Sequence, residues 1–494
     1  MEDTLFRRHS AVLLGTAAFA LLWVIARAAV QSITIDEADT YLFWVARLGP
    51  THWEVASNNH VLNSALMRLF TSVFGLHHLT VRAPAVVGAV VYIGSAYHLC
   101  RVVSTSRALQ WALLVAMVYN PLAMDYLVAA RGYGLALGFL LCALAVQFTS
   151  LSPRRAVAVS SLCLALSFAS SFAFAMVDAV MLAAILLWRC RRPGDRPATL
   201  AAGVLPGLFV TLLLSSYAVL HWGQSQMTYD GATSLSQTFA SVREASLYQP
   251  NPQLLNPLLY PAANALRPFL FPALGVACAL CLIGFAVYRP WRRSEPARTA
   301  IAYCAGLFAI VACSLAIHYL AFCAFDVKLP LERHALYLVP LCTLFVGAVA
   351  ATPATAVWTR FARRCLLGVC LLTSGYYVSC LRLTYFREWA WNADAERIYW
   401  LLDYYHRAYG VDSFATNWKC VAPLNFYRAL YGRGDLPEFT ALPELPAGRQ
   451  VYVLDFPFEQ KTLAANHLRV VYLGKLSEMA IAIDPRLEPR RACP

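Results

Sequence analysis

Eleven apolar runs of membrane-spanning length constrain this chain more than any single motif. They lie near residues 10–31, 83–103, 108–126, 134–150, 156–170, 172–188, 199–221, 268–288, 299–321, 335–351 and 365–381. A helix of about 20 apolar residues crosses the roughly 30 Å hydrocarbon core of a bilayer. The tightest connection is the Ala169-Ser170-Ser171 link between the fifth and sixth runs. Residues 382–494 break the pattern, with 14 Lys and Arg and 13 Asp and Glu among 113 residues. The chain therefore reads as a polytopic helical membrane domain, 1–381, followed by a water-soluble domain, 382–494. Overall it is 59% apolar and 14% charged, against about 45–50% and about 25% in soluble proteins. Disorder, collagen and a secreted disulfide scaffold are excluded.

The net charge of +13 suggests nucleic acid until its location is considered. With the N-terminus in the cytoplasm, the inner links hold Arg7, Arg8, Arg101, Arg107, Arg154, Arg155, Arg189, Arg191, Arg192, Arg196, Arg289, Arg292, Arg293, Arg298, Arg360, Arg363 and Arg364. Their acids are Glu2, Asp3, Asp195 and Glu295, so the bias is 17 to 4. That is the positive-inside signature of membrane topology, and nucleic acid is not an expected partner. An odd span count puts residues 382–494 outside, together with loops 32–82, 222–267 and 322–334. The start at Arg7-Arg8, with Ala26-Arg27-Ala28 after the apolar run, imitates a signal peptide, but a first helix of this length reads as an anchor. Most of the 15 cysteines sit in apolar spans as small buried groups, and no Cys-x-x-Cys pair with His partners points to zinc. Cys420 and Cys493 are the outer pair, with nothing in the sequence to link them.

Chemistry has to lie in the outer loops. Asp36, Glu37 and Asp39 follow the first span directly, and three carboxylates beside hydrocarbon are costly unless they serve a site. The plainer reading is an acidic cap on an interfacial helix, for which one acid suffices. Ala38–Leu48 carries Tyr41, Leu42, Trp44, Val45 and Leu48 at helical spacing, as an interfacial helix would. After Ser57-Asn58-Asn59-His60 comes a second amphipathic run, Val61–Phe74. There Leu62, Leu66, Leu69, Phe70 and Val73 are expected against lipid or protein, and Ser64, Arg68 and Thr71 toward water. Arg131-Gly132-Tyr133 and Glu332-Arg333-His334 with Tyr337 open the fourth and tenth spans. An outer arginine there either snorkels or binds a phosphate through charge-assisted hydrogen bonds. Asp178 lies inside the sixth span, where pairing with a polar neighbour is the expectation.

In this order, the residues resemble the GT-C glycosyltransferases that use polyprenyl-phosphate sugars. That group includes protein O-mannosyltransferases, lipid A aminoarabinose transferases and bacterial transferases that decorate lipopolysaccharide core. The matching residues are Asp36-Glu37, His60-Val61-Leu62, Phe74-Gly75, Val81-Arg82-Ala83-Pro84, Ala130-Arg131-Gly132-Tyr133 and Leu329-Pro330-Leu331-Glu332-Arg333. They cover about the first 150 residues well; beyond these the likeness rests mainly on span count and an outer C-terminal domain. The Pro-Pro that follows the basic residue in the group is absent after His60, and Asn58 and Asn59 precede it, which bears on substrate identity.

The resemblance implies a polytopic GT-C membrane fold with about eleven spans, juxtamembrane helices and a small outer α/β domain. It implies transfer of a sugar from a polyprenyl-phosphate donor to a hydroxyl of a lipid, glycan or protein, with inversion, on the outer face of a bacterial inner membrane. Asp36 would be the general base and Glu37 would orient the acceptor or a nearby cation. Arg131 and Arg333, helped by His60 and Asn59, would bind the donor, with Tyr133 and Tyr337 at the rim. No cofactor is required on this reading; a divalent metal held by Asp36 and Asp39 is the rival.

In the outer domain the pattern predicts a helix over Asn392–Tyr409 and another near Ala422–Leu430. Strands are expected near Val411–Thr416, Val451–Leu454, Arg469–Leu473 and Met479–Ile483. There is no Gly-rich phosphate loop. The competing functions are a transporter or flippase of lipid-linked sugars, which would show a repeat between halves, and a non-catalytic assembly or sensor protein.

Overall fold

The computed structural model describes residues 2–46, 59–191, 197–220, 231–288, 295–354, 356–441 and 445–487. Leu48, Ser57, Asn58, Cys493 and the inner-link residues Arg192, Asp195, Arg196, Arg289, Arg292 and Arg293 lie outside them. So do the side chains of residues 2–10 and of Glu295. The chain packs as two compact units. One comprises Met1–Ile25, Trp53–Asn63 and Pro84–Leu381; the other comprises Ala26–His52, Ser64–Ala83 and Arg382–Pro494.

All eleven apolar runs form helices. They are α1 (Glu2–Val30), α4 (His78–Val103), α5 (Arg107–Val118) with α6 (Pro121–Tyr126), α7 (Tyr133–Val146), α8 (Pro153–Ser170), α9 (Ala175–Cys190), α10 (Pro197–Leu220), α12 (Leu259–Tyr288), α13 (Glu295–Phe325), α14 (Leu338–Ala351) and α15 (Val357–Ser379). Between them lie the shorter α2 (Ile35–Asp39), α3 (Val61–Phe74) and α11 (Leu235–Ser246). Among the described residues, six helical segments are long and apolar enough to cross a membrane. The third run is split because Asn120 restarts the helix: its Oδ1 accepts from the amides of Leu122 and Ala123 at 3.0 and 3.2 Å. Pro121 then takes the first helical position, where a missing N–H costs nothing. On α10, Leu205, Phe209 and Leu212 are 61%, 66% and 58% exposed. An apolar ridge of that kind, at helical spacing, suits hydrocarbon rather than water.

Helix α3 occupies the predicted residues, but one side chain of its expected polar face is buried. Asn63, Ser64 and Met67 are buried, whereas Leu69, Val73 and Phe74 are exposed. In a membrane protein the surface is apolar and the interior takes the small and polar groups, so the expectation that Ser64 meets water is reversed. The first interfacial stretch starts earlier than expected, at Ile35, and α2 passes at Thr40 into a π-helical turn, Thr40–Val45; the expected end at Leu48 lies outside the described residues.

The second unit carries the α/β layer. Its helices are α16 (Ala395–Tyr409), α17 (Trp418–Leu430) and α18 (Gln460–Ala465). Its strands are β1 (Phe414–Thr416), β2 (Val451–Asp455), β3 (Arg469–Leu473) and β4 (Met479–Ile483). The sheet order is β1-β2-β4-β3, with β1 and β2 parallel and the other pairs antiparallel. Ala415, Tyr452, Leu454, Ala480 and Ala482 form its core. Helix α16 ends on Gly410 in the left-handed conformation (φ 64°), whose amide closes the helix on the His406 carbonyl at 2.9 Å; glycine holds that conformation without a Cβ penalty. Helix α17 starts four residues before the sequence suggests because Asn417 Oδ1 caps the Lys419 amide at 3.0 Å.

Candidate functional site

Four of the expected donor-binding residues converge within the first unit. The chain leaves α6 at Tyr126, turns with the Arg131 amide on the Ala129 carbonyl, 2.6 Å away, and enters α7 at Tyr133. Gly132 has no room for a side chain: a Cβ there would lie 1.7 Å from the Ser170 carbonyl oxygen and 2.9 Å from the His60 Cβ. Glycine therefore lets three segments close on one another: the α6–α7 turn, the end of α8 and the approach to α3. Asn63, on the first turn of α3, donates to the Ala130 carbonyl at 3.2 Å and ties the approach to that turn.

His60 is the centre of this cluster. Its Nδ1 lies 2.8 Å from the Ser170 carbonyl oxygen. A carbonyl only accepts, so Nδ1 carries the hydrogen and the neutral ring presents a lone pair at Nε2. Nε2 is buried and, among the described residues, has no hydrogen-bond partner. Burial holds the imidazole well below its usual pKa, and the Arg131 charge adds to this. The Ser170 carbonyl opposes the shift in part, while Arg333 and His334 reinforce it. The resting ring is thus neutral among cations.

Tyr133 lies edge-on to His60 with ring centres 4.8 Å apart, and packs against Tyr126 at 5.1 Å and His334 at 5.9 Å. Arg131 and Asn59 are buried and Arg333 is half-buried. Arg333 is held on a single helical turn, Glu332–Ala335. Ahead of it, Ala232 and Leu329 exchange backbone hydrogen bonds of 2.8 and 2.9 Å. Glu332 takes a left-handed φ of 42°, and its amide donates to Ser241 Oγ at 2.9 Å. A non-glycine residue there costs about 1–3 kcal/mol and persists only where its surroundings impose it. Tyr337 is buried against Phe174, with ring centres 5.8 Å apart. Asp178, on the first turn of α9, is buried with Ser167 of α8 as its polar neighbour.

The carboxylates belong to the second unit. Thr34 Oγ1 accepts from the Glu37 amide at 3.2 Å, and Glu37 Oε2 accepts from the Thr34 amide at 2.9 Å. This reciprocal box starts α2. The same Glu37 carboxylate takes both arms of Arg82, Nε at 2.8 Å and Nη2 at 2.7 Å. Arg82 also donates to the carbonyls of Ala28, Gln31 and Ser32 at 3.1, 2.8 and 2.9 Å. Both side chains are fully buried, an arrangement whose disruption from one side typically costs about 3–5 kcal/mol. The C-terminal segment holds the same loop: Tyr427 accepts from the Ile33 amide and Asn392 from the Ile35 amide, each at 2.9 Å. Glu37 is therefore committed to shaping the loop, while Asp36 and Asp39 remain half-buried on α2. Among the described residues, no group of three or more His, Cys, Asp or Glu side chains is arranged to hold a metal ion.

Three parts of these clusters are not legible as such in the sequence. Arg82 reads only as a motif residue, although a charge one turn into an apolar span signals a buried partner. His334 reads as a neighbour of Arg333. The Ser170 carbonyl, which fixes the His60 tautomer, has no sequence signal. The first unit also contains a cavity of about 890 Å³ among α5, α11, α12, α14 and α15, walled by Leu113, Phe271, Leu274, Leu338 and Phe345 and touched by Arg243.

No protein-family description and no curated protein matches the sequence. Among solved structures, the chain is similar to apo ArnT from Cupriavidus metallidurans, with 11% identity, a TM-score of 0.53 and coverage of 99% of this chain and 100% of that one. ArnT from the same organism bound to undecaprenyl phosphate aligns at 12% identity and a TM-score of 0.48, covering 97% and 98%. The arabinofuranosyltransferase AftD from Mycobacteria aligns at 16% identity and a TM-score of 0.44, over 97% of this chain and 40% of that one. The apo ArnT alignment runs the length of both chains, and this chain shares the fold of that structure.

Proposed function

We propose that this chain is a membrane glycosyltransferase that moves a sugar from a polyprenyl-phosphate donor to an acceptor hydroxyl, with inversion at the anomeric carbon. The observation that carries the reading is the buried Nε2 of His60, without a hydrogen-bond partner among the described residues, on a ring that feels the charges of Arg131 and Arg333 and has Tyr133 and His334 beside it. A desolvated group of cationic and polar side chains suits a phosphate, whose leaving charge must be stabilised for the sugar to depart. The cavity in the same unit, about 890 Å³ and mainly apolar-walled, suits a prenyl chain and lies within the roughly 300–1,000 Å³ of small-molecule sites. The fold shared with ArnT supports the class.

Arg131 and Arg333 bind the donor phosphate, with Asn59 and Tyr133 as further donor contacts. Asp36 takes the acceptor proton, since a hydroxyl is a weak nucleophile without a base. Glu37, through its pair with Arg82, sets the loop that carries Asp36. The acceptor is a lipid, glycan or protein hydroxyl. Mass spectrometry of glycolipids and glycans from cells with and without the protein tests the function. A species heavier by one sugar is expected with the wild type and not with Asp36→Ala. Identical profiles in the presence of an intact donor pool would overturn the reading.

The eleven apolar helices are assigned as eleven spans, with the N-terminus inside and residues 382–494 outside, in the bacterial inner membrane. The basic bias of the links motivates the orientation. A periplasm-dependent reporter fused after Ile483 is expected to be active. Activity of a cytoplasm-dependent reporter there would reverse the orientation.

A further inference from the structure

His60 has a feature that phosphate binding by the arginines leaves unused. Its Nδ1–H is committed to the Ser170 carbonyl at 2.8 Å, so the ring cannot switch tautomer without losing a buried hydrogen bond. Gly132 packs closely on both the Ser170 carbonyl and the His60 Cβ, which fixes the base of the side chain beside its acceptor. The neutral ring therefore offers only a lone pair at the buried Nε2. A phosphate oxygen also offers lone pairs. The two repel until a proton lies between them.

We propose that His60 takes up one proton from solvent when a prenyl phosphate monoester binds, becoming an imidazolium that donates from Nε2 to the phosphate. This rests on the donor-phosphate reading above and adds a charge requirement to it. The groups facing His60 are Arg131 from the α6–α7 turn, Arg333 and His334 from the turn before α14, and Tyr133 from α7. Burial holds the free ring neutral, and the cations act in the same direction. A bound dianion reverses that balance, since an opposite charge within a few ångströms favours the charged form.

The consequence concerns donor against product. A sugar-phosphate-prenyl donor is a diester with one negative charge. When its sugar C–O bond breaks, the electron pair stays on the phosphate oxygen, and the monoester leaves with two. The acceptor's proton goes to the base, so the proton on His60 comes from solvent and returns there when the monoester departs. His60 thus matches the charge of the leaving phosphate rather than that of the donor.

The probe is geranyl phosphate, titrated calorimetrically into the purified full chain at pH 8 in two buffers of different ionisation enthalpy. At that pH the monoester is already a dianion, with a second pKa of about 6, and brings no proton of its own. Uptake of about one proton per bound ligand is expected, with affinity falling by up to about tenfold per pH unit between the ring's free and bound pKa values. His60→Gln, an uncharged side chain able to donate, is expected to bind more weakly with uptake near zero; His60→Lys serves if the Gln variant does not fold. Saturable binding without uptake in the wild type overturns the proposal. So does uptake that persists in the variant, which would assign the proton to His334 or another group. No saturable binding of geranyl phosphate at all overturns the donor-site reading itself, and this inference with it.

Discussion

Asp36→Asn is expected to leave the protein folded and able to bind donor while turnover falls by about 10²–10⁴-fold, the usual contribution of a positioned acid or base. Asn keeps the shape of the carboxylate and removes its basicity. The start of α2 is held by other groups: Glu37 closes the capping box and grips Arg82, and the Asp36 backbone carbonyl accepts from the Thr40 hydroxyl at 2.8 Å. Single-turnover transfer with a prenyl-phosphate sugar separates the chemical step from binding. Undiminished turnover in Asp36→Asn would remove Asp36 as the base. Running the wild type in chelator addresses the rival, a divalent ion on Asp36 and Asp39. Full activity is expected, because the arginines supply the positive charge a monophosphate leaving group needs; loss restored by magnesium or manganese would instead favour the metal.

Arg131→Leu and Arg333→Leu are expected to weaken donor binding strongly and to lower transfer by about 10²–10³-fold each, the scale of removing one positioned donor from a developing anion. Arg131 carries the larger expectation. It is 1% exposed, and among the charges that depress the His60 pKa its effect is the largest. The two losses should be less than additive in the double variant, since both side chains serve one anion. Equilibrium binding of a prenyl phosphate, alongside transfer rates, is the measurement. Unchanged affinity in both single variants would place the phosphate elsewhere.

Much of the fold was readable because long apolar runs and strand alternation are strong local signals. The bounds of Val61–Phe74, Arg469–Leu473 and Met479–Ile483 in the structure coincide with those that periodicity marks in the sequence. Boundaries set by single side chains were less readable: Asn417 starts α17 early, and Asn120-Pro121 splits the third run. The burial of Ser64 on α3 has a physical origin, since periodicity identifies an apolar stripe without saying which small polar side chains the protein interior takes up. The candidate site was legible where it depends on residue type, as at His60, Arg131 and Arg333. It was not legible where it depends on a main-chain atom, as at the Ser170 carbonyl, or on a long-range partner, as with Arg82 and Glu37, which are 45 positions apart.

Helices α7 and α8 bear on where in a bilayer the proposed site would hold its phosphate. They have 14 and 18 residues, so they are about 21 and 27 Å long at 1.5 Å per residue, against a hydrocarbon core of roughly 30 Å. In the proposed topology Arg154 and Arg155, at the start of α8, would sit at the level of the inner headgroups. With that end anchored, the opposite ends, where Gly132 meets Ser170, stop several ångströms short of the other leaflet's headgroups. A prenyl phosphate captured there has to sink below its neighbours, or the bilayer has to thin around it, at fractions of a kcal/mol per Å. Membrane thickness then sets the depth to which a carrier must descend, and a thicker, stiffer leaflet would make that descent slower with every residue of the protein unchanged.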